Sequence, residues 1–256
     1  MADLQVRELR DPAEHAAAAA LFGTVWYGDS GVPIEAQLLT AVAHSGGYVA
    51  GAYAGTRLLG ASFGFLGRHR GTLVLHSHLT GVLPGQEHHG LGFAIKRHQR
   101  QWTRSQGLVA VVWTFDPLVR RNAWFNLGKL GAQVVGYREC FYGTATDAIN
   151  AGDETDRAFV WWPSDPAPSH ALPKRGLVVL DDHLSERGFD NEPVLNVAIP
   201  PDIVVLRRTD PARARHWRRA VRATFGRAID AGYTATAVTR DGVYTLERVS
   251  FLEENR

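Results

Sequence analysis

Leu73 to Gln106 reads LVLHSHLTGVLPGQEHHGLGFAIKRHQRQWTRSQ. The stretch predicts an apolar strand, a Gly/Pro turn and a helix that opens on Gly90-Leu91-Gly92. A strand feeding a glycine-rich turn and a helix builds an anion site. Unpaired N–H groups and the positive end of the helix dipole both face the turn. Along the strand, period-two alternation places His76, His78 and Thr80 on one face and Ser77 and Leu79 on the other. Along the helix, Leu91, Ile95, His98 and Trp102 form the face toward a sheet, which leaves Lys96, Arg97 and Arg100 solvated.

Downstream, Leu108 to Phe115 is a continuous apolar run and predicts a strand buried on both faces, stopped by Asp116-Pro117. Val119 to Leu130 predicts a helix closed by Gly131, followed by strands over 132–143 and 158–162. Upstream, a first strand over 4–9 leads to a helix from Asp11-Pro12 to Val25, broken by Trp26-Tyr27-Gly28-Asp29. A second helix covers 34–43. A hairpin pairs 48–54 with 57–66, and Gly67 to Gly71 turns the chain into the opening strand. The Pro- and Ser-rich segment 163–173 is linker-like and divides the chain into residues 1–165 and a C-terminal α/β region, 174–256. That region carries strands over 177–180 and 194–199. Its helix, 211–229, shows Ala214, Trp217, Val221, Phe225 and Ala228 on one face and arginines, Arg218 among them, on the remainder, expected as solvated surface or an interdomain contact. A hairpin turned by Asp241-Gly242 closes the pattern.

At 256 residues with 45% hydrophobic composition, the chain is long enough for one large domain or a domain with a smaller companion. A net charge of +2 is too mild to argue for nucleic acid without a clustered basic face. The single cysteine, Cys140, excludes an internal disulfide and fits a reducing compartment. The charged start MADLQVRELRD lacks a secretory apolar core, so a cytoplasmic location is expected.

The order strand, turn, helix, buried strand, helix, strand resembles the core of the GNAT N-acetyltransferases. Gly81-Val82-Leu83-Pro84 followed by Gly90-Leu91-Gly92 resembles their acetyl-CoA motif, a strand ending Val-x-Pro before Gln/Arg-x-x-Gly-x-Gly/Ala. Trp113 to Leu118, Arg121-Asn122-Ala123 and Phe125 to Ala132 resemble the strand and helix that follow in that fold. Together with His76-Ser77-His78 and Asn150 to Arg157, these phrases resemble a group of predicted GNAT acetyltransferases with an appended C-terminal α/β region. The resemblance implies an α/β (α+β) fold: a GNAT-like mixed, mainly antiparallel twisted sheet flanked by helices, plus the smaller C-terminal region. It implies acetyl-CoA, or another acyl-CoA, as cofactor. Thr80, Gly81 and Val82 would bond the pantetheine arm like an added strand. The turn residues Glu87, His88, His89, Gly90, Leu91, Gly92 and Phe93 would hold the pyrophosphate, and Asn122 would reach the pantetheine amides. The sequence departs from the family at Glu87-His88-His89, where a Gln or Arg, a glycine and a basic residue are usual, and at Leu127, where many members carry a proton-donating Tyr.

Acyl transfer to an amine needs a base, a stabilised oxyanion and a proton for the thiolate. His76 and His78 are the candidate bases, alternatively structural histidines. Asp116 would orient a histidine or bind a cationic amine, alternatively cap a helix before Pro117. Trp26, Tyr27 and Asp29 follow the first helix, where the family places acceptor-binding elements. The four histidines near the turn lack a carboxylate or thiolate at ligand spacing, so no metal is expected. The expected partner is a small-molecule amine, with neither membrane nor nucleic acid, and a homodimer is compatible with the chain. The leading reading is direct acetyl transfer within a ternary complex. The alternatives are a GNAT-fold binding or regulatory protein that has lost catalysis, and an enzyme using a different acyl-CoA or an altered reaction.

Overall fold

The computed structural model describes residues 4–27, 34–86, 90–143, 153–165 and 170–248. Contacts divide the chain into two compact units, Met1–Trp113 with Pro163–Ala167, and Thr114–Trp162 with Pro168–Arg256. The units therefore part at Trp113, whereas the linker-like composition of 163–173 had suggested a boundary there.

The first unit has the strand order β1-β2-β3-β4-β5: Leu4–Glu8, Tyr48–Ala54, Arg57–His69, Thr72–Val82 and Ala110–Phe115, the last ending in the second unit's residues. Pairing is antiparallel from β1 to β4 and parallel between β4 and β5. Helix α1, Pro12–Phe22, starts in a capping box: Asp11 accepts from the Ala13 N–H at 2.7 Å, and Glu14 accepts from the Asp11 N–H at 3.3 Å. It continues as a π-helical turn over Gly23–Tyr27. Alternation along β3 sorts the two faces. Ala61 and Phe63 join the core with Phe22 of α1 and Leu39 of α2, Ala36–His44. Phe22 and Phe63 meet edge to ring at 5.8 Å. Gly60 and Ser62 face α3, Leu91–Ser105. His15, buried in α1, contacts Thr40 Oγ1 and the Leu9 carbonyl at 3.0 and 3.1 Å and so ties α1 to α2. The β3–β4 hairpin is longer than expected. Only Arg70 and Gly71 turn, both at positive φ as a two-residue hairpin requires, so the strand continues through Gly67 to His69.

The second unit has the order β7-β6-β10-β11-β9-β8: Arg157–Pro163, Gln133–Arg138, Tyr233–Val238, Val243–Arg248, Val194–Ala198 and Leu177–Leu180. Among the described residues of this unit, only β8 and β9 pair in parallel. Helix α4, Arg120–Ala123, passes into a π-helical segment, Trp124–Lys129. The predicted helix 211–229 is α6, Pro211–Val221, a π turn over 222–226, and α7, Arg227–Asp230. Its expected apolar face is buried, but so is Arg218. An unforeseen helix, α5, covers Ile203–Thr209. Among the described residues no helix is long and apolar enough to cross a membrane.

Candidate functional site

The first unit brings together β4, the start of α3 and the π turn after α1. Strand β4 is parallel to β5 at Leu75↔Val111 and His76↔Val112. Among the described residues it then runs on from Ser77 to Val82 without a β5 partner. On its other edge the register with β3 passes from Phe63↔Leu79 to Gly64↔Ser77, so His78 is the extra residue of a β-bulge. Gly64 makes room for it: a Cβ there would stand 2.6 Å from the His76 carbonyl oxygen.

The bulge corrects the simple alternation. Ser77 and Thr80 face α3, and Leu79 lies on the other side in the α1 core. His76 and His78 line that other side against β3: His76 stacks on Phe65 at 4.9 Å, and His78 lies 5.2 Å from Phe63. The two imidazoles are 6.3 Å apart. Burial, helped by the neighbouring His78 and Lys96, lowers His76 to about 4, so it is neutral at physiological pH. His78, more open to solvent, is lowered by the same desolvation. Beyond them, Gly81 lies beneath Val25 and Trp26, whose indole Nε1 would be 3.5 Å from a Cβ at 81.

On the α3 side a hydrogen-bonded chain underlies the same stretch. Lys96 donates to Ser77 Oγ at 2.8 Å and to Gln99 Oε1 at 3.0 Å. Gln99 donates to Ser62 Oγ at 3.2 Å, and Ser62 meets Thr80 Oγ1 at 2.8 Å. The Lys96 ammonium also sits 4.1 Å from the centre of the Trp113 ring. Lys96 is 4% exposed, against the expectation of a solvated side chain, and burial lowers it to about 7. The buried face of α3 extends past the predicted stripe to Gln99 and Thr103, which swings Lys96 inward. Sequence periodicity alone had no signal for it. Arg97 is exposed, and Arg100 donates to the Pro163 carbonyl at 2.8 Å.

Helix α3 opens on Gly90 at φ 75°, a left-handed cap that favours glycine and supplies no capping side chain. The first-turn N–H groups of Leu91, Gly92 and Phe93 have no intrahelical acceptor, and Phe93 is exposed beside them. Glu87, His88, His89 and Asp29, together with the Tyr27 side chain, lie outside the described residues.

Neither family models nor curated proteins match this sequence. Solved structures do match. The ribosomal-protein-S18-alanine N-acetyltransferase of Escherichia coli aligns at TM-score 0.50 and 12% identity, over 66% of this chain and 99% of its own. A GNAT-family acetyltransferase of Streptococcus pneumoniae aligns at 0.50 and 16%, over 63% and 99%. A Salmonella typhimurium protein solved with acetyl-CoA as its cofactor aligns at 0.50 and 16%, over 67% and 98%. The fold is that of the GNAT acetyltransferases.

Two residues expected at the site of this GNAT fold belong to the second unit. Asn122 is half-buried in α4. Asp116 is 7% exposed and accepts from the Leu118 N–H at 3.0 Å. Arg218 donates to both its oxygens at 2.8 Å, and Arg207 donates to one of them at 2.5 Å. Asp153 shares both arginines, at 3.0 and 2.9 Å. With both carboxylate oxygens taken up by guanidinium groups, Asp116 is a structural ion-pair member and not a free partner for a histidine or an amine. Leu127 is buried. The Tyr137 hydroxyl is committed to Asp156 at 2.6 Å.

Proposed function

We propose that this chain is an acyl-CoA-dependent N-acetyltransferase that moves an acetyl group from acetyl-CoA to a small-molecule amine by direct transfer in a ternary complex. The observation that carries this reading is the parting of β4 from β5 after His76, beside two imidazoles held neutral and above a helix that opens on Gly90. An unpaired β4 edge accepts an amide-bearing arm as an added strand. Six residues from Ser77 to Val82 span roughly 20 Å at strand rise, long enough for a pantetheine arm laid from the helix end to the point where the strands meet. The pyrophosphate then lies at the first turn of α3, where N–H groups without an intrahelical acceptor and the helix dipole favour an anion. The Salmonella typhimurium neighbour, solved with acetyl-CoA, supports the same cofactor or a related acyl-CoA.

In this arrangement the thioester ends beside His76. A neutral imidazole takes the proton from the attacking amine, directly or through water. Trp26, over Gly81, lies on the same side of β4 as the histidines and would border the acceptor.

Calorimetric titration with acetyl-CoA, followed by thiol release across an amine panel, tests the reading. Saturable binding and amine-dependent release are expected. No binding at millimolar cofactor overturns it. His76→Ala or His78→Ala is expected to lower turnover by about 10²-fold or more with cofactor affinity retained. Full turnover in both variants removes the base role. One observation favours a second reading, a GNAT-fold binding protein without catalysis: the position where a phenol acid is usual, in the π-helical segment after α4, holds buried Leu127. Binding without thiol release from any amine would select it.

A further inference from the structure

A buried ammonium without a carboxylate is costly, and Lys96 is one. Among the described residues it forms no ion pair. Its partners are Ser77 of β4, Gln99 of α3 and the Trp113 ring of β5. The other groups facing this region are Ser62 and Thr80, both hydroxyls, and His76 on the opposite face of β4. Met or Leu would fill the same space without desolvating a charge. The lysine also occupies a particular place. It bridges β4 and β5 on the α3 side, at the step where the two strands part: Ser77 directly follows the last paired residue of β4, and Trp113 that of β5.

From this juxtaposition we infer that Ser77 and Lys96 form a proton relay that neutralises the departing thiolate, Ser77 as the donor and Lys96 as the group that reprotonates it. The inference rests on the acetyltransferase reading above. It supplies the proton that no phenol at position 127 can provide.

The amine nitrogen attacks the thioester carbonyl and loses its proton to a histidine or water. The tetrahedral intermediate collapses, the C–S bond breaks and the electron pair stays on sulfur. The thiolate takes the Ser77 hydroxyl proton while Lys96 passes one of its own to the serine oxygen. Lys96 ends as a neutral amine, the cofactor leaves as a free thiol, and the lysine is reprotonated from solvent before the next turnover. Until transfer, the buried ammonium places positive charge beneath the developing anion.

The test is the pH profile of kcat at saturating acetyl-CoA for the full chain, Ser77→Ala and Lys96→Met, with calorimetric Kd for acetyl-CoA alongside. Wild type should lose kcat on the alkaline side as Lys96 gives up its proton. Both variants should bind acetyl-CoA within about twofold of wild type, lose about 10²-fold in kcat, and show no such alkaline limb. Wild-type kcat in both variants overturns the relay. So does reduced kcat with the alkaline limb retained, since a purely structural role predicts that pattern. Ser77→Ala keeps the ammonium and its Gln99 bond, so the relay stays testable if Lys96→Met fails to fold. If wild type releases no thiol with any amine, the acetyltransferase reading itself fails and the relay with it. Active variants beside an active wild type overturn the relay alone.

Discussion

Two ionisable side chains, His76 on one face of β4 and Lys96 of α3 against the other, have been moved by burial in the same direction. Neutral His76 is suited to accept a proton, and its shift fixes where that ability ends. Because it protonates only near pH 4 instead of near 6.5, the acid limb of kcat/KM assigned to it should fall near pH 4. A limb near 6.5 that persists in His76→Gln would assign the base elsewhere. Lys96 gives a stability prediction that does not depend on catalysis. Its folded value, about 7, lies below its ordinary value of 10.5. Between those pH values the unfolded chain holds a proton that the folded chain has released, so stability rises with pH across the window. For this one group the slope approaches about 1.4 kcal/mol per pH unit in mid-window. Below pH 7 both states are protonated and the full desolvation cost is present. Urea unfolding at pH 7 and pH 9 should therefore show wild type gaining on Lys96→Met by that slope. Parallel behaviour of the two proteins would mean that Lys96 is hydrated in solution.

At the scale of elements, the β3–β4 pair positions the site, and its bulge depends on Gly64. Gly64→Ala would drive a methyl group into the His76 carbonyl, a backbone atom that can move only if the strands move. We expect a loss of about 1–3 kcal/mol, read from the urea midpoint, together with displacement of His76 and reduced turnover. A neutral effect on both would show that the strands are free to slide. The same bulge marks the limit of what the sequence discloses. Strand and helix periods, the Asp11-Pro12 cap and the Asp241-Gly242 turn are local signals, and they located most elements. A bulge is set by which residues stand opposite in the partner strand, so HSHLT alone could not reveal that Thr80 leaves the face of His76 and His78. The breadth of the buried face of α3 likewise depends on the sheet beneath it, and Lys96 was misplaced for that reason. Helix α5 is different: Asp202, which caps it by accepting from the Val205 N–H at 3.0 Å, is a local start signal legible in the sequence.

Across the whole chain, the compact units follow buried polar groups more closely than linker composition. Asp116 and Asp153 lie before the Pro-rich segment and Arg207 and Arg218 after it, yet the four form one buried cluster in the second unit. Tyr137, Asp156 and Arg222 repeat the pattern, and Phe225 packs between Tyr137 and Tyr244. These contacts assign residues 114–162 to the C-terminal unit. They also make a firm prediction. Burial by itself would raise the Asp116 carboxyl, but Arg218 and Arg207 outweigh it and hold it at about 2. Its stabilising contribution is therefore complete above the ordinary carboxylate value and is lost as pH falls toward 2. Removing a carboxylate at neutral pH mimics that loss while leaving a buried guanidinium short of a partner. Asp153→Ala should cost about 3–5 kcal/mol in urea unfolding at pH 7. Replacing Asp153 and Arg207 together with apolar residues of similar volume should cost less than the single change, because the pair's desolvation cost is removed with its attraction. A single-variant loss below about 1 kcal/mol, the range of exposed ion pairs, would show that the cluster is solvated and that some other contact joins 114–162 to the C-terminal unit.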